Sequence, residues 1–377
     1  MLSVKNIVDP MSPMSRDALA TAKSFIPLKS LRHGFLEELF LNVQPQSVPA
    51  GQIIFEEGGY DHQVVYLSAG SVALNYPSGH REVLSAAESL LPLANQQPRP
   101  AQAEAIEDCV VLRVDSDTLD RTLSWSQITD YILSELAIDR AHDGNLPLYT
   151  TILSSNLFFK VPSINAEKIF SRLQTVQVNQ GDTIIHEGDL GDCCYFLQHG
   201  VAKIYKQKNN KDELLAEILP GRCFGEDALV DKKPRNASVV MSTDGVLMKL
   251  EKADFLRLLH EPEVEEISLV DFDQRQDQPT LIDIRTEAEY RLGHLAMSAN
   301  IPLSILSMKK RLLSPEKLYV MYCDTGRRSK AAAFFLGKLG YNAVSLAGGL
   351  QKQQLLDRLV TQPSYMLRAG QLIKSDD

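Results

Sequence analysis

The chain has 377 residues, of which 44% are apolar and 23% charged, the balance of a globular protein whose parts each bury a core. At roughly 100–200 residues per domain, that length predicts two or three domains. A net charge of −9 argues against a general nucleic-acid binder, and five irregularly spaced cysteines with no C-x-x-C pair exclude a disulfide framework and a zinc ribbon.

In chain order, Met1 to Leu19 is broken by Lys5, Asp9, Pro10 and Pro13 and lacks the apolar core of a signal peptide. No stretch approaches the ~20 apolar residues of a membrane span. A cytoplasmic location with reduced thiols, no membrane and no metal is the expectation. A helical pattern at Phe35 to Leu41 leads into short alternating runs punctuated by glycine, which read as β-strands. Helical patterns follow at Asp117 to Ala137, precede the next β region at Ala166 to Leu173, and close it at Lys252 to Leu259. Pro162-Ser163 reads as a helix start capped by the serine hydroxyl. The Asp117 to Ala137 helix is long enough to pair with a second protomer, so a homodimer is a reading left open.

The two β regions are copies of each other. Gly51-Gln52-Ile53-Ile54-Phe55-Glu56-Glu57-Gly58 answers to Gly181-Asp182-Thr183-Ile184-Ile185-His186-Glu187-Gly188, and Tyr66-Leu67 to Phe196-Leu197. Val110 to Val114 answers to Val246 to Leu250 after a short insertion in the second copy. Ala141 to Pro147, polar and Gly/Pro-containing, reads as the linker between them. After Ile267, β runs at Leu281 to Ile284, Leu318 to Tyr322 and Ala343 to Leu346 alternate with helical stretches such as Ser329 to Leu339, the pattern of a parallel sheet flanked by helices. The expected fold is therefore multidomain: two β-roll (jelly-roll) domains with flanking helices, at 1–145 and 146–262, an α/β domain at 266–362, and a short tail at 363–377.

The second copy holds Phe224-Gly225-Glu226-Asp227-Ala228-Leu229 followed by Pro234-Arg235-Asn236-Ala237-Ser238. Gly225 permits close backbone approach to a ligand. The turn at Glu226 to Leu229 would aim backbone N–H groups at an anion, and Arg235 adds a planar guanidinium suited to phosphate. Glu226, acceptor-only when ionised, suits a sugar hydroxyl. This segment resembles the phosphate-binding cassette of the cyclic nucleotide-binding domain family, over about Leu148 to Leu259. The resemblance implies cAMP or cGMP as ligand. Glu226 would hold the ribose hydroxyl and Arg235 the cyclic phosphate, with Gly225, Asp227, Ala228, Ala237 and Ser238 completing the cradle. Asp227 departs from the pattern, putting a charge where an apolar residue is usual. Asn236 stands where the family varies, so the base preference stays open. In the first copy, aligning Pro98-Arg99 with Pro234-Arg235 puts Ser89 and Leu90 at the Gly225 and Glu226 positions, with Pro92 breaking the small helix. That copy is expected not to bind nucleotide.

In the α/β region, Leu318 to Tyr322 runs into Cys323-Asp324-Thr325-Gly326-Arg327-Arg328-Ser329 and then a helix. A cysteine at this junction sits among backbone N–H groups, and the helix start with two guanidiniums is expected to lower its pKa. With Leu281-Ile282-Asp283-Ile284-Arg285, Glu289-Tyr290, Gly293-His294, Ser298-Ala299-Asn300-Ile301-Pro302 and Gly348-Gly349, this resembles the rhodanese family over about Ser268 to Leu359. The resemblance implies sulfur transfer through a Cys323 persulfide. Gly326, Arg327, Arg328 and Ser329 would form the active loop, the two arginines would bind a small anionic sulfur donor, and a thiol would be the acceptor. The loop's Cys-x4-Arg spacing is shorter than the Cys-x5-Arg of cysteine phosphatases. His294 reads as structural. A non-enzymatic sensor or adaptor, its α/β domain docking a partner or registering persulfide, is the alternative.

Overall fold

The computed structural model describes residues 13–41, 43–139, 146–153, 161–208, 211–230, 233–277, 279–352, 355 and 358–374. They fall into two compact units, one drawn from Met11–Tyr131 and Val264–Asp377, the other from Ile132–Glu263. The first unit thus combines the first β-roll with the α/β domain. The second unit is the second roll.

Each roll is a pair of antiparallel sheets. In the first, Cys109–Asp115 lies between Pro45–Val48 and Gln63–Ala69, and a four-stranded sheet runs in the order Ile53–Phe55, Gln102–Ala105, Ser71–Asn75, Arg81–Ser85. In the second, one sheet orders Cys223–Phe224, Cys193–His199, Gly245–Glu251, Gln174–Val178, and the other Lys211–Ile218, Ala202–Lys208, Ser238–Met241, Thr183–Ile185. The copies share even an irregularity of register: the ladder slips between Leu67 and Ala69 in one and between Leu197 and His199 in the other. Alternation puts Val65, Leu67, Val72, Leu74 and Val111 in the first core, and Leu197, Ala202, Val239 and Leu247 in the second.

The α/β domain has a seven-stranded sheet in the order Glu266–Ile267, Ala343–Leu346, Tyr319–Tyr322, Thr280–Asp283, Ser298–Asn300, Tyr365–Arg368, Gln371–Lys374. Its pairings are parallel except the last. Tyr319 to Tyr322 is wholly buried, as a central parallel strand covered on both faces must be. The segment expected to be a featureless tail supplies the last two strands, a hairpin turning at Ala369-Gly370 with both residues at positive φ. The polar appearance of that segment reflects its place at the sheet edge.

Two other expectations are corrected. Ser163 caps nothing: the helix before the second roll begins as a 3-10 turn, Ser163–Asn165, with no side-chain cap. The expected linker lies mostly outside the described residues, but Leu146 and Pro147 open a helix, Leu146–Leu153. Proline is tolerated there because first-turn N–H groups have no intrahelical partner. The long helix, Ser116–Asp139, is buried without interruption from Thr122 to Thr129 within its own chain. The reading of Met1 to Leu19 falls mostly outside the described residues; among them, no helix is long and apolar enough to cross a membrane.

Candidate functional site

In the second roll, Cys223–Phe224 ends at Gly225, whose φ of +86° lies in the left-handed region. A Cβ there would sit 2.8 Å from Arg235 Nη1 and 2.9 Å from Ile185 Cδ1, so only glycine fits. The short helix Glu226–Val230 follows, as the sequence implies. Arg235 is buried and spans the cradle. Its Nη1 donates to the Gly225 carbonyl at 2.6 Å, and its Nη2 to the Cys193 carbonyl at 2.7 Å and to Asp192 Oδ1 at 3.1 Å. Backbone bonds from Gly188 to the Arg235 carbonyl, and from Arg235 to the Asp189 carbonyl, fix the segment that carries it. Ser238 Oγ accepts from the Glu187 backbone at 2.9 Å, tying the cassette's far end to the Gly181 to Gly188 turn. Glu226, Ala228 and Ala237 are buried. Asp227 and Asn236 point to solvent, so the charge of Asp227 is kept out of the cradle.

The same frame in the first roll is closed on itself. Gly58 donates to the Arg99 carbonyl and Arg99 to the Gly59 carbonyl, matching the second copy. Every polar nitrogen of the Arg99 side chain is already engaged. Asp61 takes a forked pair, the carbonyls of Leu93, Ala94 and Gln63 take the rest, and the guanidinium lies 4.2 Å over the Phe55 ring. No helix forms between Ser89 and Leu93, where Pro92 removes an N–H. Arg99 is thus held as a strut within the first roll, and no short helix stands where Glu226–Val230 stands in the second. Sequence reasoning missed Asp61 because nothing in the copied motif marks it.

In the α/β domain, Cys323 leaves the buried strand Tyr319–Tyr322 and lies under a tight loop. Gly326, at φ +97°, caps the helix Arg327–Lys338, and its N–H donates to Cys323 Sγ at 3.2 Å. Ser329 Oγ stands 3.6 Å from the sulfur and is itself held by the Gly326 carbonyl and Ser345 Oγ. Gly349 closes the floor. A Cβ on it would meet the Cys323 carbonyl at 2.3 Å, and the next residue, Leu350, donates to that carbonyl at 2.9 Å.

Two role assignments change here. Arg328 does not face a donor. It is fully buried beneath the loop, forked onto Glu289 at 2.9 and 3.0 Å and reaching Asp324 at 3.1 Å. Arg285 joins the same network through Asp283, the Gly293 carbonyl and Asp324. Burial works against the Glu289 carboxylate, but Arg328 and Arg285 hold it down at about 2. Cys323 itself is not activated in the folded arrangement. Burial pushes its thiol up; Arg328 pulls it down, while Asp120 and Asp324 oppose that pull. The expected lowering neglected desolvation, which for a fully buried thiol outweighs one guanidinium. Glu289→Gln would leave Arg328 buried with only Asp324 as counter-charge. We expect it to cost stability toward the lower end of about 3–5 kcal/mol, read as a lower urea midpoint; an unchanged midpoint would show that the network contributes nothing. His294 is buried, stacked on Tyr290 at 3.9 Å and bonded to the Tyr290 and Pro363 carbonyls.

Comparisons with known proteins bear on the domains that carry these residues. Residues 45–124 and 175–261 match the model of the cyclic nucleotide-binding domain, and residues 268–355 that of the rhodanese-like domain. The chain is two cyclic nucleotide-binding-type domains fused to a rhodanese-like domain. It is 42% identical over 92 residues to a cAMP-dependent protein kinase regulatory subunit of Aspergillus niger, covering 24% of this chain and 22% of that one. It is 28% identical over 162 residues to the Dictyostelium discoideum subunit, covering 40% and 50%. The chain therefore spans half or less of these relatives. The regulatory domain of Toxoplasma gondii PKA, solved with cAMP, is 17% identical, covers 67% of this chain and 94% of its own, and superposes with a TM-score of 0.24.

Proposed function

We propose that this cyclic nucleotide-binding rhodanese-like protein is a sulfurtransferase whose second roll senses a cyclic nucleotide, cAMP in the first instance. The observation that carries the catalytic half is Cys323 Sγ under the loop, accepting the Gly326 N–H at 3.2 Å. Nucleotide sensing is supported by the preserved cradle at Gly225, Glu226 and Arg235, and cAMP by the printed names of the relatives.

The chemistry runs in two displacements. Cys323 first loses its proton to water. The thiolate attacks the outer sulfur of an anionic donor such as thiosulfate, the donor's S–S bond breaks, and sulfite leaves with the bonding electron pair. The product is a Cys323 persulfide anion, held by the loop N–H groups and Ser329, with the buried Arg328 supplying positive potential from beneath. An acceptor thiolate or cyanide then attacks the outer sulfur. The cysteine–sulfur bond breaks, Cys323 thiolate is regenerated, and the acceptor leaves as a persulfide or thiocyanate.

The test of regulation is sulfur transfer from thiosulfate to cyanide with and without saturating cAMP, and separately cGMP. The expected change is roughly 5–150-fold in kcat/KM, the span of ordinary allosteric coupling. Identical kinetics under all three conditions would remove regulation and leave two unconnected activities. A second reading is favoured by one observation: Cys323 is completely buried with a raised pKa. In it, the rhodanese-like domain docks a partner or registers persulfide without turnover.

A further inference from the structure

The degenerate first roll does not end its part in the molecule at its closed pocket. The first part of its long helix, Ser116 to Tyr131, lies within the same compact unit as the Cys323 loop and engages it directly. Thr325 Oγ1, two residues past the cysteine, donates to Asp120 Oδ2 at 2.7 Å. The next arginine, Arg327, bonds Asp120 Oδ2 and the Asp117 carbonyl through Nη1, and the Asp117 carboxylate through Nη2. Further along, Tyr131 stacks on Phe335 of the loop's own helix, ring centroids 4.5 Å apart and nearly parallel.

Arg327 is the half-exposed cation of the loop, the group left to receive an anionic donor once Arg328 is committed to Glu289. Two carboxylates from the first roll already neutralise it. Asp120 is itself nearly fully buried, so its charge is little screened at the loop. A dianion such as thiosulfate would meet a saturated guanidinium, a neighbouring carboxylate and a sulfur with no exposed surface.

We propose that the Ser116 to Tyr131 part of this helix is the lid of the sulfur-transfer site, latched by Asp117 and Asp120 onto Thr325 and Arg327, and that the latch must release for an anionic sulfur donor to reach Cys323. The inference rests on the sulfurtransferase reading for its biological sense, but the latch can be measured without turnover. The first roll then has a function of its own, covering a site in the α/β domain.

The test is the alkylation rate of Cys323 in the full-length chain by neutral iodoacetamide, with the modified cysteine identified by peptide mass mapping. In D117N/D120N, which removes both charges at nearly constant volume, the rate should rise roughly 10–100-fold over wild type, within the range of ordinary coupling. Arg327→Gln breaks the same latch from the other side and should give the same rise. It also decides the matter if the double variant does not fold, as judged by circular dichroism. Wild-type alkylation rates in the folded variants would overturn the lid. Thiosulfate turnover, measured on D117N/D120N, separates the two readings. Faster alkylation together with faster turnover supports both. Faster alkylation with no turnover in any form keeps the lid and sinks the sulfurtransferase.

Discussion

Replacing Cys323 with Ser is expected to abolish sulfur transfer to the limit of detection while leaving the fold intact. The substitution exchanges sulfur for a smaller oxygen at a fully buried position that already hydrogen-bonds the Gly326 N–H and neighbours Ser329. A hydroxyl can accept that N–H, so the loop keeps its partner. What is lost is the nucleophile: an alcohol, protonated at neutral pH and a poor sulfur nucleophile, does not displace sulfite. The measurement is thiosulfate-to-cyanide turnover together with a thermal melt. Full turnover in the variant would mean that sulfur does not pass through this residue. The same site predicts a pH profile. Because burial raises the thiol's pKa, the thiolate fraction at a given pH lies below that of a free cysteine. Turnover should therefore climb as pH rises past neutrality and level off only above the ordinary thiol range. A profile already flat at pH 7 would contradict a buried, protonated resting state.

Arg235→Ala is the second large effect. The wild-type protein is expected to bind a single cyclic nucleotide per chain, at the second roll, because Arg99 of the first roll is consumed by Asp61 and three carbonyls. Arg235 is the buried cation of the surviving cradle, and a guanidinium on a desolvated phosphate is worth far more than one at the surface. Its loss should cost about 2–5 kcal/mol of binding, or roughly 30- to 5,000-fold in Kd. Arg235→Lys keeps the charge but not the planar fork, and should fall between. Calorimetric titration with cAMP and with cGMP checks all of this. Unchanged affinity in the alanine variant would place the nucleotide elsewhere. Two nucleotides per chain would mean that the first roll opens.

Much of this was legible in the sequence. Repeated Gly-punctuated strand patterns gave the two rolls, because alternation with period two is imposed by a sheet with one buried face. The βαβ alternation after Ile267 gave a parallel sheet for the same kind of reason. The cassette from Gly225 to Ser238 and the loop from Cys323 to Ser329 are local: each is built from residues close in sequence, and backbone geometry at Gly225 and Gly326 admits little else. The absence of the small helix from the first copy was readable from Pro92.

What the sequence could not supply is everything that depends on burial and on partners remote along the chain. The Asp61–Arg99 pair, the Glu289–Arg328 fork and the contacts of Asp117 and Asp120 with the Cys323 loop join residues far apart in number, with no spacing rule to reveal them. The direction of the Cys323 shift followed from the same cause. Local reading counts the nearby arginines, whereas the folded chain decides how much water is taken away, and desolvation was the larger influence. The sequence by itself determined which modules the chain contains and which atoms could do chemistry. The tertiary structure alone decided that the rhodanese-like domain shares its compact unit with the first roll, because packing follows complementary surfaces and charges rather than chain order.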